Sequence, residues 1–255
     1  METILKTQNL SKSFYGLKAV HDVSLEISKG EIFGVIGPNG AGKTTLFNAI
    51  SGFDPPTSGT VIYNGKDMTN SSTVDYVNEG LARTFQNIRI FSEMTVEQNI
   101  AVGLHKNIKT NLYNIITNNR HNRHVEKEVK DKSEEIMARL GISKYAKENA
   151  SDLPYGTQRI LEIGRALASK PNLLLLDEPS AGMNTQESID LVRLVFSVHE
   201  TVPTIIVIEH NMRFIMELCD RIAVLNFGEL LALDAPNEIQ CNEKVLEAYL
   251  GKEDN

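Results

Sequence analysis

The chain has 255 residues, 41% of them apolar and 23% charged, with a formal net charge of −7. That length buries a sizeable core, in one large domain or two small ones, and the negative balance excludes a bulk attraction to nucleic acid or to an anionic membrane. Cys219 and Cys241 form no C-x-x-C pair and read as free thiols in a reducing compartment; apolar runs such as Leu173–Leu176 are too short to cross a bilayer, and Glu2, Lys6, Gln8 and Asn9 leave no room for a signal-peptide core.

Short strands are expected over Ile4–Leu10 and Val20–Ile27. Between them stand Phe14 and Tyr15, either of which could stack on a purine or simply pack within an N-terminal sheet. Glu31–Ile36 reads as a strand and Thr45–Ile50 as a helix, and the link between them is Gly37-Pro38-Asn39-Gly40-Ala41-Gly42-Lys43-Thr44-Thr45. This contains G-x-x-x-x-G-K-[ST] and reads as a phosphate cradle for a nucleoside triphosphate with magnesium. Glycines let successive N–H groups converge on anionic oxygens, and the helix that follows adds its positive end. Lys43 would reach the β- and γ-phosphates and the Thr44 hydroxyl would ligate Mg2+. A further strand, Gly59–Gly65, ends on an Asn-Gly turn. Gln86 follows a short apolar strand, where a glutamine could ligate Mg2+ or order a water.

From Val96 to Asn149 the pattern is helical, with apolar residues at Val129, Ile136, Leu140 and Ile142. Within it Asn107–Arg123 is polar and reads as a mobile connection or a polar helix. His121 and His124 have ligand-like spacing, but Arg120 and Arg123 beside them would repel a cation, so a solvated face is the better reading. An α/β rhythm then returns, with helices over Thr157–Ser169, Gln186–Glu200 and Met212–Cys219 and strands over Asn172–Leu176, Thr204–Ile208 and Arg221–Asn226. Continuous apolar strands alternating with helices predict a parallel sheet covered on both faces. Leu173–Leu176 leads into Asp177 and Glu178, at the strand end where open α/β sheets bind ligands. Asp177 would serve the Mg2+ shell and Glu178 would polarise the attacking water. His210 ends the next strand and could meet the γ-phosphate.

The order of these motifs resembles that of the ATP-binding subunits of ABC transporters over essentially the whole chain. The resemblance implies an α/β P-loop NTPase (RecA-like) core with an N-terminal antiparallel β subdomain and an inserted α-helical subdomain. It makes residues 1–255 a single ATPase domain, with 1–90 and 156–255 forming the core and 91–155 the helical subdomain. It implies ATP and Mg2+, with Gln86 as the Q-loop glutamine, Asp177 and Glu178 as the Walker B pair, His210 as the switch histidine and Phe14, rather than Tyr15, stacked on adenine. Thr44, Gln86 and Asp177 would serve the metal. Ser180–Asn184 matches the D-loop in altered form. The signature loop matches Leu153-Pro154-Tyr155-Gly156-Thr157, of which only Leu153 and Gly156 hold to the family pattern; Pro154 removes the hydroxyl a signature serine would offer.

Ala82–Phe91, Met94–Asn99, Leu153–Gly156, Leu161–Arg165, Ala181–Asn184 and Ile208–Met212 look like the subgroup that serves branched-chain amino-acid uptake. The implied assembly places this chain on the cytoplasmic face of the cell membrane. Its partners there would be integral-membrane permease subunits and a second ATPase subunit, identical or related, with an extracytoplasmic solute-binding protein engaged indirectly. Other readings are an ATPase for lipid or lipopolysaccharide export and a soluble ABC ATPase acting on nucleic acid or the ribosome. The second lacks its usual coiled-coil insertion or tandem cassette here, and the acidity argues against a nucleic-acid partner.

Overall fold

The computed structural model describes residues 2–104 and 120–250. A long hairpin opens the chain, β1 (Thr3–Phe14) against β2 (Leu17–Ser28), followed later by β4 (Ser58–Tyr63) and β5 (Lys66–Asp67) in an antiparallel sheet ordered β2-β1-β4-β5. Asn64 and Gly65, at φ 51° and 73°, make the left-handed two-residue turn that matches the twist of paired strands. The opening strands run longer than the alternation predicts, because the Tyr15-Gly16 turn closes the hairpin tightly and pairs Phe14 with Leu17.

The second sheet has six strands in the order β10-β9-β3-β8-β7-β6. These are β3 (Ile32–Ile36), β6 (Leu81–Arg83), β7 (Leu173–Asp177), β8 (Thr204–Ile208), β9 (Arg221–Asn226) and β10 (Glu229–Asp234). All pairs are parallel except β9 with β10. The strands β3, β7 and β8 are buried along their whole length, as their apolar runs require. Alternate residues serve two cores: Ile32, Ile36, Leu174, Leu176, Ile205 and Val207 face one, while Phe33, Val35, Leu173, Leu175, Ile206 and Ile208 face the other. Gly34, in the middle of β3, leaves room for Cys219; a Cβ there would stand 3.0 Å from the cysteine Sγ.

Nine described helices surround the sheets: α1 (Lys43–Ile50), α2 (Thr73–Asn78), α3 (Val96–Leu104), α4 (Arg120–Arg139), α5 (Tyr155–Ala168), α6 (Thr185–His199), α7 (Met212–Leu218), α8 (Pro236–Cys241) and α9 (Glu243–Leu250). Val96, Ile100 and Leu104 form the buried face of α3, spaced by four. They share a core with Met137, Leu140, Leu161, Leu174 and Leu176, so α3, α4 and α5 and one face of the sheet share one buried cluster. Backbone bonds from Val96 to Glu148 and from Ala150 to Met94 tie the start of this helical layer to its end. Residues 107–119 of the polar stretch 107–123, and the side chains of His121 and His124, lie outside the described residues. The helix expected from Thr157 begins two residues earlier, because Pro154 at φ −54° serves as its N-cap and accepts the first helical hydrogen bond from Gln158. The antiparallel strand β10 and the C-terminal helices α8 and α9 lie beyond the last element read from the sequence.

Candidate active site

The link 37–42 leaves the centre of the six-stranded sheet, between β8 and β9. Its glycines are fixed by space and by backbone. A Cβ on Gly37 would stand 2.2 Å from the Leu225 carbonyl oxygen, and one on Gly42, at φ 96°, would stand 2.3 Å from that of Ala19. Gly42 is the N-cap of α1 and offers no side-chain cap, so the first N–H groups of the helix are free to meet an anion. Lys43 turns back under the loop, where its ammonium donates to the carbonyls of Gly37 (2.7 Å) and Pro38 (3.0 Å). Burial lowers its pKa from the ordinary lysine value, and the charge of Glu178 partly offsets that. Asn39, Gly40 and Thr44 are exposed, Pro38 and Thr45 half-buried and Ala41 buried.

Across the sheet, β7 ends on the buried Asp177, and Glu178 follows at φ 45°, an uncommon backbone for glutamate, held by its N–H donating to the Ile208 carbonyl at 2.9 Å. The Glu178 carboxylate accepts from Gln86 Nε2 at 2.9 Å and lies 3.7 Å from His210 Nδ1. The structure therefore brings together three of the expected residues, Gln86, Glu178 and His210, around one carboxylate.

Phe14 is part-exposed at the end of β1, with the Lys12 ammonium 5.2 Å from its ring centre, whereas the Tyr15 ring stands fully in solvent. Leu153 is buried in the helical core, and Gly156 faces Glu187 and Met183 rather than the cradle. The Tyr155 ring rests on Gly182, where a Cβ would meet it at 3.0 Å. Two altered loops, Leu153–Thr157 and Ser180–Asn184, are thus packed on each other.

Several site residues carry no sequence signal of their own. Arg83, on β6, donates to Asp177 (2.8 Å), Asn48 (2.8 Å) and Ser51 (2.9 Å), joining the far end of α1 to the end of β7. Glu209 is fully buried and accepts from the backbone N–H groups of Ser180 (2.7 Å), His210 (3.1 Å) and Asn211 (3.3 Å), which fixes the loop after Glu178 to the loop carrying His210. Arg159 and Glu162 form a buried ion pair beneath Gln86.

The donor set fits a magnesium-bound nucleoside triphosphate. Among the described residues no cluster of three or more His, Cys, Asp or Glu side chains could hold a metal alone. Thr44, Gln86 and Asp177 offer hard oxygen donors of the kind Mg2+ takes when phosphates and waters complete its shell.

A phosphate cradle at the centre of a parallel sheet, with a carboxylate, a glutamine and a histidine converging at the next strand ends, defines a P-loop ATPase. The chain belongs to the ABC transporter family, whose model matches residues 20–181. A second model, described as "Branched-chain amino acid ATP-binding cassette transporter", matches residues 229–255. The chain is 41% identical over 254 residues to the high-affinity branched-chain amino acid transport ATP-binding protein LivG of Salmonella typhimurium, covering 98% of this chain and 99% of that one. It is 37% identical to BraF of Pseudomonas aeruginosa, which carries the same description, over 98% of both chains. Among solved structures it resembles a nucleotide-free ATP-binding cassette from an ABC transporter (TM-score 0.84, 32% identity, 98% of this chain and 100% of that one). It also resembles an ABC-transporter cassette in its ADP conformation (TM-score 0.85, 31% identity, 99% and 100%). No described helix is long and apolar enough to cross a membrane.

Proposed function

We propose that this chain is the ATP-hydrolysing subunit of an importer for branched-chain amino acids, and that Glu178 is its catalytic base. The observation that carries the catalytic part is the Glu178 carboxylate, held between Gln86 and His210 at a strand end beside the cradle. The relatives named above carry the solute assignment.

In this reading the backbone of Gly37–Thr45 and the Lys43 ammonium bind the phosphates, and Phe14 stacks on the base. Lys43 exchanges the Gly37 and Pro38 carbonyls for phosphate oxygens. Mg2+, held by Thr44, Asp177 and Gln86, would neutralise charge developing on the phosphates. Glu178 accepts the proton of the attacking water while Gln86 and His210 fix the direction of its carboxylate. The loop Leu153–Thr157 closes over the nucleotide of a second ATPase subunit, with Gly156 and the N-terminus of α5 supplying N–H donors where Pro154 offers none. Closure and release would then drive permease subunits at the cytoplasmic face of the membrane, because ATP binds the closed state more tightly. Residues 91–155 act as the helical subdomain that carries this motion, with 1–90 and 156–255 as the core.

The test is uptake of labelled leucine, isoleucine and valine at scarce concentrations in cells lacking the chain. Uptake should be lost, restored by the wild-type chain and not by Glu178→Gln. Undiminished uptake, with ATPase activity intact in the purified chain, would overturn the solute and leave the catalytic assignment standing.

A further inference from the structure

The segment that carries Gln86 is held by a device outside the nucleotide cradle. Arg159 and Glu162 lie one helical turn apart on α5, and both are buried, Arg159 completely. Their side chains pair at 2.9 Å. Among the described residues, the other side-chain hydrogen bonds of the pair run to the backbone of residues 85–89. Arg159 donates to the carbonyls of Phe85 (2.6 Å) and Gln86 (2.7 Å). Glu162 accepts from the N–H groups of Phe85 (3.4 Å) and Arg89 (3.1 Å). A little further along α5, Arg165 donates to the Arg89 carbonyl. A buried ion pair is a poor way to gain stability, since desolvating both charges offsets most of their attraction. Its bonds are charge-assisted and directional, however, and a guanidinium bridging successive carbonyls fixes a backbone more tightly than apolar packing does.

We infer that Arg159 and Glu162 are a positioning pair for hydrolysis, which aims Gln86 at Glu178 and makes that aim depend on where α5 sits. The inference rests on the reading of Gln86 and Glu178 given above. The connection is continuous. The helix α5 begins at Tyr155, directly after the extended pair Leu153–Pro154; Arg159 and Glu162 seize the backbone around Gln86; and Gln86 Nε2 donates to Glu178 Oε2 at 2.9 Å. A tilt of α5 caused by whatever docks against the Leu153–Thr157 loop would therefore be delivered to the catalytic carboxylate as a displacement of Gln86. The pair makes no hydrogen bond to cradle residues 37–45, so its effect falls on the aim of Gln86, and through it mainly on turnover, rather than on the grip of the cradle on the phosphates.

The experiment is a double-mutant cycle on the full-length chain, reading kcat and KM for ATP, nucleotide affinity and Tm. Arg159→Met should lower kcat by roughly tenfold to a hundredfold, the scale expected when a reacting group is misplaced by about an ångström, with KM and affinity changed by less than about threefold. Arg159→Lys, which keeps the charge and one carbonyl contact, should recover part of the loss. In a Gln86→Ala background, Arg159→Met should cost less than about threefold further, because the group it positions is gone. Equal fold losses in both backgrounds, or a loss confined to KM, would overturn the inference and leave a merely structural pair. If Arg159→Met does not fold, Glu162→Gln takes its place in the cycle with the same criteria. A Gln86→Ala chain with unchanged kcat would instead remove the catalytic reading of Gln86, and the positioning role with it.

Discussion

Lys43 brings a full positive charge into a nearly closed space and satisfies it with two carbonyl oxygens of its own loop. Replacing it by alanine removes the only side-chain cation of the cradle, and Lys43→Ala should weaken ATP binding at least tenfold, measured by a fluorescent nucleotide or by calorimetry. Glu178→Gln should keep that affinity and lower turnover by roughly a hundredfold or more, the range expected for loss of a general base; near-normal hydrolysis would take Glu178 out of the role. Arg83 tests the ground beneath both. Its partner Asp177 is almost fully buried, so Arg83→Met leaves a charge without compensation and should cost about 3–5 kcal/mol of stability by chemical denaturation. The pairs Arg83–Asp177 and Arg159–Glu162 were invisible in the sequence for a physical reason. Arginine on a helix or short strand usually lies on a solvated face, and nothing local announces that the chain will fold a carboxylate or a carbonyl over it. The cradle, Asp177, Glu178 and His210 were legible because each depends on residue type at a fixed distance from a strand end.

Elements differ in the same way. The strands β3, β7 and β8 are continuous apolar runs buried on both faces, and they stand out at once. The strand β10 does not, because it is a half-buried sheet edge and its hairpin depends on left-handed Phe227 and Gly228, an atypical turn pair. Helix starts fall within two residues of their expected positions, whereas β1 runs four residues past the expected Leu10. The helix α6 is set by a reciprocal cap: Asn184 accepts from the N–H groups of Gln186 and Glu187, and the Glu187 carboxylate accepts from the Asn184 N–H. This cap also holds the end of the loop 180–184 against Tyr155 and Gly156. Asn184→Ala should cost about 1 kcal/mol. If that loop takes part in closure, the variant should also lower ATP turnover in the assembled dimer more than in the isolated chain.

At the scale of the molecule, the two cores share the same strands, so neither can come apart without exposing the other. Leu174→Ala and Leu175→Ala open cavities on opposite faces of β7. Each should cost about 2–5 kcal/mol, and each should shift one common thermal transition; two separated transitions in either variant would show that the faces melt independently. For the assembly, Glu178→Gln with ATP should elute as a dimer in gel filtration while the ADP-bound chain elutes as a monomer. A nucleotide-independent elution volume would count against an ATP-bridged pair.

The packing of Cys219 against Gly34 supplies a chemical clock for the floor of the cradle. Cys219 is buried beneath β3, and loss of water pushes its thiol well above the ordinary range, so little thiolate forms to react. Cys241 is exposed. An alkylating reagent should therefore add one label quickly to the native protein and a second only when α7 lifts from β3, or on denaturation. If nucleotide rigidifies the strand that feeds the cradle, the slow label should become slower still in ATP, giving a rate that reports tightening at the centre of the molecule from a sulfur atom that never touches the ligand.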